Sequence, residues 1–259
     1  MVDTPPLWRL MTGSALRRYR EGMGYALDDA AKILDCCASK ISRVETGQRG
    51  IRPRELRELM DEYGVPAHEQ ETLLKLARTQ HAGRGPAEVA PGPPDHAIWQ
   101  AASEILSYDA LRVPDLLQTS SYAEALGGAS ALRGPSRMTA IIGEGALRQM
   151  VGSATVMRAQ LAALAASEAT VQVLPFSSGA LAAACDTGSL AILRFADAPA
   201  LDVARIGSAA SGHYVLGDSG LAEYLELFGE LQASALSPRA SATMLRAMAR
   251  ALTPVAVTR

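Results

Sequence analysis

Between Ser39 and Arg57 the chain carries six basic residues (Lys40, Arg43, Arg49, Arg52, Arg54 and Arg57) against two acids, Glu45 and Glu55. This surplus of four positive charges lies inside a chain of formal net charge −2. A local cationic patch attracts an anionic polymer such as a phosphate backbone. The acidic whole argues against a surface that grips such a polymer everywhere. Within the patch, Ile41 and Val44 are three residues apart and share one face of a short helix, which turns Ser39, Lys40, Ser42 and Arg43 outward. Guanidinium, ammonium and hydroxyl groups so placed bond base edges and phosphate oxygens.

That chemistry needs a rigid support. Leu7, Leu10, Met11, Ala15 and Leu16 recur at helical spacing, and Gly22 and Gly24 stop the helix they imply. A short helix is predicted from Leu27 to Leu34, with Asp28 and Asp29 in its first turn, where the helix dipole favours acids. After Asp35-Cys36-Cys37 comes the helix of the basic patch, about Ala38 to Thr46, ended by Gly47. Pro53 opens a fourth helix with an apolar stripe of Leu56, Leu59, Met60 and Tyr63, and Pro66 opens a fifth, packed through Leu73, Leu74, Leu76 and Ala77. Two short helices joined by a tight turn let the second enter a DNA major groove while the first braces it.

Residues 10–80 resemble the Cro/C1-type (XRE) helix-turn-helix domain, and Ser39-Lys-Ile-Ser-Arg-Val-Glu-Thr-Gly47 is similar to its recognition-helix signature. The resemblance implies that Ser39, Lys40 and Arg43 occupy recognition positions, that Glu45 braces the motif internally, and that Arg49, Arg52 and Arg54 contact the DNA backbone. Two residues depart from the pattern. Asp35 stands where the turn usually has Gly, and Cys37, a poor hydrogen-bond acceptor, stands where the helix cap is usually Ser, Thr or Asp.

The stretch 82–96 holds four Pro and three Gly and reads as a linker between residues 1–81 and 97–259. Beyond it, helices are expected at Ala97–Leu106, Ser120–Leu126, Val156–Ala166, Asp218–Leu236 and from Ser237-Pro238 to about Leu252. Strands are expected at Met138–Ile142, Thr170–Phe176, Ser189–Phe195, Leu201–Ile206 and His213–Leu216. The expected architecture is therefore a mainly α, five-helix N-terminal domain followed by an α+β domain with a small sheet covered by helices. Val113-Pro-Asp-Leu-Leu-Gln-Thr-Ser-Ser-Tyr-Ala123, Gln172-Val-Leu-Pro-Phe176 and Ala235-Leu-Ser-Pro-Arg-Ala-Ser241 resemble the DUF5753, or Scr1-type antitoxin-like, domain of actinobacterial regulators. That resemblance implies a cytoplasmic transcription regulator, often beside a small DUF397-type partner protein, with no known effector. Against the family's pattern, Gly127–Arg137 is too short and Gly/Ser-rich for a helix usual there, and Gly143-Glu144-Gly145 replaces Asp-Glu-Ala.

Trp99, Tyr108, Gln118, Tyr122, Glu144, Asp186, His213 and Tyr214 are the candidates to line a ligand cavity, with the small-residue stretch Ser177–Gly188 as a loop over it. No Walker A loop, strand-borne GxGxxG, HExxH or GxSxG is present, so the sequence offers no catalytic residue and no cofactor site. The four histidines (His68, His81, His96, His213) lack metal-ligand spacing, and three cysteines make neither a disulfide framework nor a zinc site. Cys36 and Cys37 beside the basic helix form a candidate redox pair, with Lys40 placed to lower the Cys37 pKa; filling an apolar slot and a cap position is the plainer role. No apolar run approaches a membrane span and the start lacks a signal-peptide pattern, so the expected compartment is the cytoplasm. Double-stranded DNA is the expected partner, read by a homodimer because one short helix reads few base pairs, under control of a small effector or a protein partner. Two alternatives stand beside this reading: a regulator-derived enzyme or ligand carrier with a degenerate helix-turn-helix, and an antitoxin-type protein-binding module.

Overall fold

The computed structural model describes residues 5–82, 96–128, 137–178, 188–207 and 213–252. Five helices occupy the N-terminal part: α1 (Leu7–Gly22), α2 (Leu27–Ile33), α3 (Ala38–Glu45), α4 (Pro53–Glu62) and α5 (Ala67–Ala82). Most of the apolar residues whose spacing predicts α1, α3, α4 and α5 are buried, with Leu10 and Leu74 half-buried. Leu7, Met11, Ala15 and Leu16 of α1, Ile41 and Val44 of α3, Leu56, Leu59 and Met60 of α4, and Leu73 and Ala77 of α5 are all buried. Gly24 adopts φ +74° after α1, so the Tyr25 N–H can close back on Arg20 O at 3.0 Å. Tyr19 on α1 donates its hydroxyl to the Glu69 carboxylate on α5.

The C-terminal part is built on a six-stranded mixed sheet in the order β3-β2-β1-β4-β5-β6. Its strands are β1 (Glu104–Asp109), β2 (Met138–Gly143), β3 (Thr170–Leu174), β4 (Ser189–Arg194), β5 (Val203–Ile206) and β6 (His213–Leu216). β1 and β2 run parallel, with Ile105 opposite Met138 and Asp109 opposite Ile142. β2 and β3 are also parallel, from Thr139 opposite Thr170 to Gly143 opposite Leu174. The direction reverses at β4, because the Ala110 N–H just after β1 donates to Gly188 O just before β4, at 3.2 Å. Helices α6 (His96–Ala101), α7 (Ser120–Ala125), α8 (Glu144–Arg148), α9 (Ala154–Ala165), α10 (Asp218–Ser234) and α11 (Pro238–Ala251) accompany the sheet. α9 and α11 pack together over β2 and β3 through Met157, Leu161, Leu164, Leu245 and Ala249 against Ile142, Val171 and Val173. The outer strand β3 is not left open: Val173 O accepts the Leu236 N–H, and the Val173 N–H donates to Ser241 Oγ, each at 2.9 Å.

Contacts divide the chain into two units, Met1–Val89 with Arg194–Val203 and Tyr214–Leu221, and Ala90–Leu193 with Ala204–His213 and Ala222–Arg259. The structure corrects the predicted elements at two places. The helix expected at Ala97–Leu106 ends at Ala101, and Glu104–Asp109 is instead a central strand. Ile105, Ser107 and Tyr108 are all buried, so this strand lacks the polar/apolar alternation that marks a half-exposed one. Glu144–Arg148, where the sequence predicts no element, forms α8. Residues 83–95, where a linker is expected from the sequence, the segment 129–136, Cys185 and Asp186 lie outside the described residues.

Candidate nucleic-acid interface

The basic helix α3 is fixed from beneath. Ile41 and Val44 are buried in the helical core. Beside them Glu45 turns inward and holds Arg20 of α1 in a two-pronged ion pair, Nε to Oε1 at 2.6 Å and Nη2 to Oε2 at 2.9 Å. The third prong of Arg20, Nη1, donates to Tyr25 O at 2.6 Å. Both side chains are buried, and the paired carboxylate holds the Arg20 guanidinium above its usual pKa. Glu45 thus has the internal bracing position that the family resemblance implies. The second contact of α3 with α1 is backbone on backbone: a Cβ on Gly13 would lie 2.4 Å from Val44 O and 2.6 Å from Glu45 O. Nothing in the apolar periodicity of α1 marks Gly13, because its role is to be absent from that space.

On the outer side, Ser39 and Arg43 are exposed and Ser42 is half-buried. The Arg43 Nε donates to Ser39 O at 3.2 Å, which lays the guanidinium along the start of the helix. Arg49, Arg52, Arg54 and Arg57 are exposed as well. Arg54 is paired with Glu58 at 3.0 Å along α4. Lys40 behaves differently from its neighbours. Its Nζ donates to Glu55 Oε1 at 2.8 Å, with the lysine side chain 15% exposed. Glu55 Oε2 also takes the Arg52 N–H at 3.4 Å, so the one carboxylate ties the start of α4 to α3. Burial pushes the Glu55 carboxyl up, and the Lys40 and Arg52 contacts outweigh this, leaving its pKa lowered.

The turn before α3 carries both departures in visible form. Asp35 adopts φ 46°, the one non-glycine in the left-handed region among the described residues. Cys37 is the N-cap of α3 and makes no side-chain cap bond to the helix. Its Sγ lies 3.2 Å from Ser39 Oγ. This contact and the Lys40 backbone N–H lower the thiol pKa, whereas the Lys40 ammonium is engaged by Glu55. Cys36 is half-buried, and burial raises its thiol. Because a left-handed non-glycine residue costs about 1–2 kcal/mol, less for Asp than for most, Asp35→Gly is expected to stabilise the chain by about 0.5–1 kcal/mol. Urea unfolding checks this; an unchanged or lowered midpoint would show that the Asp35 side chain supports the turn by another means.

Along β1 and past its end the sheet borders a partly open cavity of about 210 Å³. Its walls are apolar where Trp99, Leu111, Pro114, Leu116, Met138, Leu190 and Ala191 line it, and polar where Ser107, Asp109, Arg112, Asp115, Ser189 and Arg205 do. Ser107 and Asp109 are two apart on β1 and therefore share a face. Arg112 and Asp115 are paired with each other. Burial pushes the Asp109 carboxyl up to about 7, against the opposing pull of the Arg112 and Arg205 guanidiniums.

A family model described as a domain of unknown function, DUF5753, matches residues 97–134 and 129–247, more than half of the chain. The chain belongs to the DUF5753 family. A helix-turn-helix domain model matches residues 12–73, the stretch that spans most of α1 and all of α2 to α4. The pairing supports a DNA-binding regulator. No curated protein and no solved structure matches this DUF5753 chain.

Of the residues expected to line a cavity in the DUF5753 part, Trp99 does so. Tyr108 neighbours Ser107 and Asp109 on β1, so its side chain leaves by the opposite face. Gln118 spans the loop after β1, donating to Val113 O at 2.7 Å and to Asp115 Oδ1 at 3.0 Å. Tyr122 is buried in the core, its hydroxyl accepting the Val113 N–H at 3.4 Å. Glu144 takes Arg148 Nε at 2.6 Å and the Phe176 N–H at 3.0 Å, a structural clamp rather than a pocket wall. His213 is exposed and Tyr214 half-buried, and neither lines this cavity. The polar wall was missed because Ser107 and Asp109 follow a stretch read as helix; read as a strand, their i, i+2 spacing puts them on one face. Gly143, a departure from the DUF5753 pattern, sits where a Cβ would lie 2.7 Å from Ala110 O, so the glycine permits the loop after β1 to close over the end of β2. Among the described residues no helix is long and apolar enough to cross a membrane, and no group of three or more His, Cys, Asp or Glu is arranged to hold a metal.

Proposed function

We propose that this chain is a cytoplasmic one-component transcription regulator of the XRE type, which reads a DNA operator with α3 and is controlled through its C-terminal domain by a small effector or a protein partner. The observation that carries the reading is the two-sided build of α3: an inner face locked by Ile41, Val44 and the Arg20–Glu45 pair, and an outer face presenting Ser39 and Arg43 beside exposed Arg49, Arg52, Arg54 and Arg57. Rigid support behind an outward guanidinium is what base-edge recognition needs, and the flanking arginines supply phosphate contacts. Lys40, held by Glu55, acts in this reading as a strut between α3 and α4 before it acts on DNA. A homodimer doubles the few base pairs that one such helix reads. A second reading keeps the cavity as the working part and treats the helix-turn-helix as scaffold; it is favoured by the engagement of Lys40 inside the protein and by the uncapped start of α3.

The test is binding of the full chain to DNA from its own upstream region, titrated with salt, beside an Arg43→Ala variant. We expect affinity to fall steeply with salt, and Arg43→Ala to bind roughly 10–100-fold more weakly, the worth of one base or phosphate contact of about 1–3 kcal/mol. Equal binding by both proteins, or binding at the non-specific level alone, would remove α3 from the role and leave the second reading.

A further inference from the structure

The cavity at the end of β1 has features that the packing of the domain does not require. Ser107 is 2% exposed, lines the cavity, and its Oγ has no hydrogen-bond partner among the described residues. A buried hydroxyl without a partner is costly, so a ligand that supplies one gains binding free energy. The position fits a general rule of open sheets. The strand order reverses at β1, with β2 and β3 to one side and β4 to β6 to the other, and a crevice by the carboxyl end of a strand at such a reversal of order is where ligands of open sheets bind.

The walls restrict what the ligand is. The volume of about 210 Å³ is below the roughly 300–1,000 Å³ of drug-sized pockets, which selects a small molecule or the small end of a longer one. Trp99, Met138, Leu190 and Ala191 call for an apolar body. The charged groups on the wall are two acids, Asp109 and Asp115, and two arginines, Arg112 and Arg205. Arg112 is paired with Asp115 and Arg205 is engaged as well, so neither guanidinium stands ready for a ligand anion, and a partly protonated Asp109 is a weak partner for a cation. Near neutral pH the Asp109 carboxyl is populated in both protonation states, so it donates in one and accepts in the other. A head group that both gives and takes a hydrogen bond satisfies it in either state.

From this arrangement we infer that the β1 cavity binds a small, uncharged, largely apolar molecule whose amide or hydroxyl head bonds Ser107 and Asp109. The inference deepens the proposed control by an effector and rests on that reading only for its consequence at the DNA, not for binding itself.

Three probes of one shape separate the choices: cyclohexanecarboxamide, cyclohexanecarboxylate and cyclohexylmethylamine. They do not absorb where tryptophan emits, and in a Trp8→Phe background Trp99 is the sole tryptophan of the full chain. The carboxamide should give a saturable change in Trp99 emission, with the two charged probes at least roughly tenfold weaker. Ser107→Val should weaken the carboxamide roughly tenfold, the worth of one hydrogen bond, and Ala191→Phe, which fills the cavity, should abolish its binding. Without ligand, Ser107→Val should melt at or above the parent temperature, since it replaces an unpartnered hydroxyl with apolar volume; a lowered melting temperature would mean the hydroxyl is already used in the fold, and would overturn the inference. So would preference for a charged probe, no saturation up to about 10 mM, or carboxamide binding unaffected by Ser107→Val. Operator affinity is read in the same samples. Carboxamide binding that leaves operator affinity unchanged supports the cavity assignment and rejects ligand control, whereas absent carboxamide binding with intact operator binding rejects the cavity and leaves the DNA reading standing.

Discussion

Glu45→Ala is expected to cost the N-terminal helices about 3–5 kcal/mol and to abolish DNA binding at temperatures where the parent chain binds. The reason is what the substitution leaves behind. Arg20 stays in the core with its Nε and Nη2 directed at a carboxylate that no longer exists; the bond to Tyr25 O remains, with a long 3.4 Å contact from Nη2 to the exposed Glu21 carboxylate. An uncompensated buried charge is far more damaging than the loss of one contact. The pair is also the side-chain tie between α1 and α3, so its removal releases the helix that carries Ser39 and Arg43. Thermal unfolding followed by far-UV circular dichroism measures the first effect, and operator binding the second. The double variant Arg20→Met/Glu45→Leu should recover most of the stability, because it removes both charges and keeps the volume. A Glu45→Ala chain within about 1 kcal/mol of the parent would mean that water reaches Arg20 and that the pair is not buried in the sense argued here.

Gly13→Ala is expected to destabilise by about 3 kcal/mol, opposite in sign to the usual effect of the same change. In a helix interior, glycine to alanine ordinarily gains about 1 kcal/mol. At Gly13 the new methyl would meet Val44 O at 2.4 Å and Glu45 O at 2.6 Å, both backbone atoms that cannot swing aside. Relief requires α3 to move away from α1, which also stretches the Arg20–Glu45 pair. Gly22→Ala is the matched comparison: it lies in the last turn of the same helix, and its Cβ would have nothing within 4 Å. Denaturant midpoints of the two variants should therefore shift in opposite directions, or Gly22→Ala should not shift at all. Two midpoints that rise together would show that the helices separate at no cost.

The five N-terminal helices were legible from apolar spacing and from boundary residues: Gly22, Gly24 and Gly47 at ends, Asp28 and Asp29 in a first turn, and Pro53 and Pro66 at starts. Leu7, Met11 and Leu16, or Leu56, Leu59 and Met60, declare a helix by spacing alone. β1 was not legible in that way. A strand buried on both faces has no alternation to read, and Glu104–Asp109 follows a true helical turn at His96–Ala101 that the eye extends. The missed strand took the polar wall of the cavity with it, since Ser107 and Asp109 belong together only at period two. The aromatic residues proposed for a ligand site illustrate a different limit: Tyr122 is a core residue, and composition cannot tell a core tyrosine from a pocket tyrosine. The outward face of α3 was visible from Ile41 and Val44, but the engagement of Lys40 by Glu55, fifteen positions later, depends on how α4 crosses α3. Spacing along one helix carries no record of that crossing.

The closure of β3 has one further consequence. A sheet edge is a template: its free amides and carbonyls will accept a strand from any source, including another copy of the same protein. Here the chain between α10 and α11 occupies part of that template, with Leu236 and Ser241 bonded to both backbone groups of Val173. The Gln172 side chain adds a bond to Leu236 O at 2.9 Å. A chain shortened before Leu236 would keep all six strands yet expose these backbone groups on β3, and the residue type there, valine, favours strand addition. The chain after α10 is therefore a guard on solubility as well as a cover for the core, and a second copy could pair with β3 at Val173 only by displacing Leu236 and Ser241.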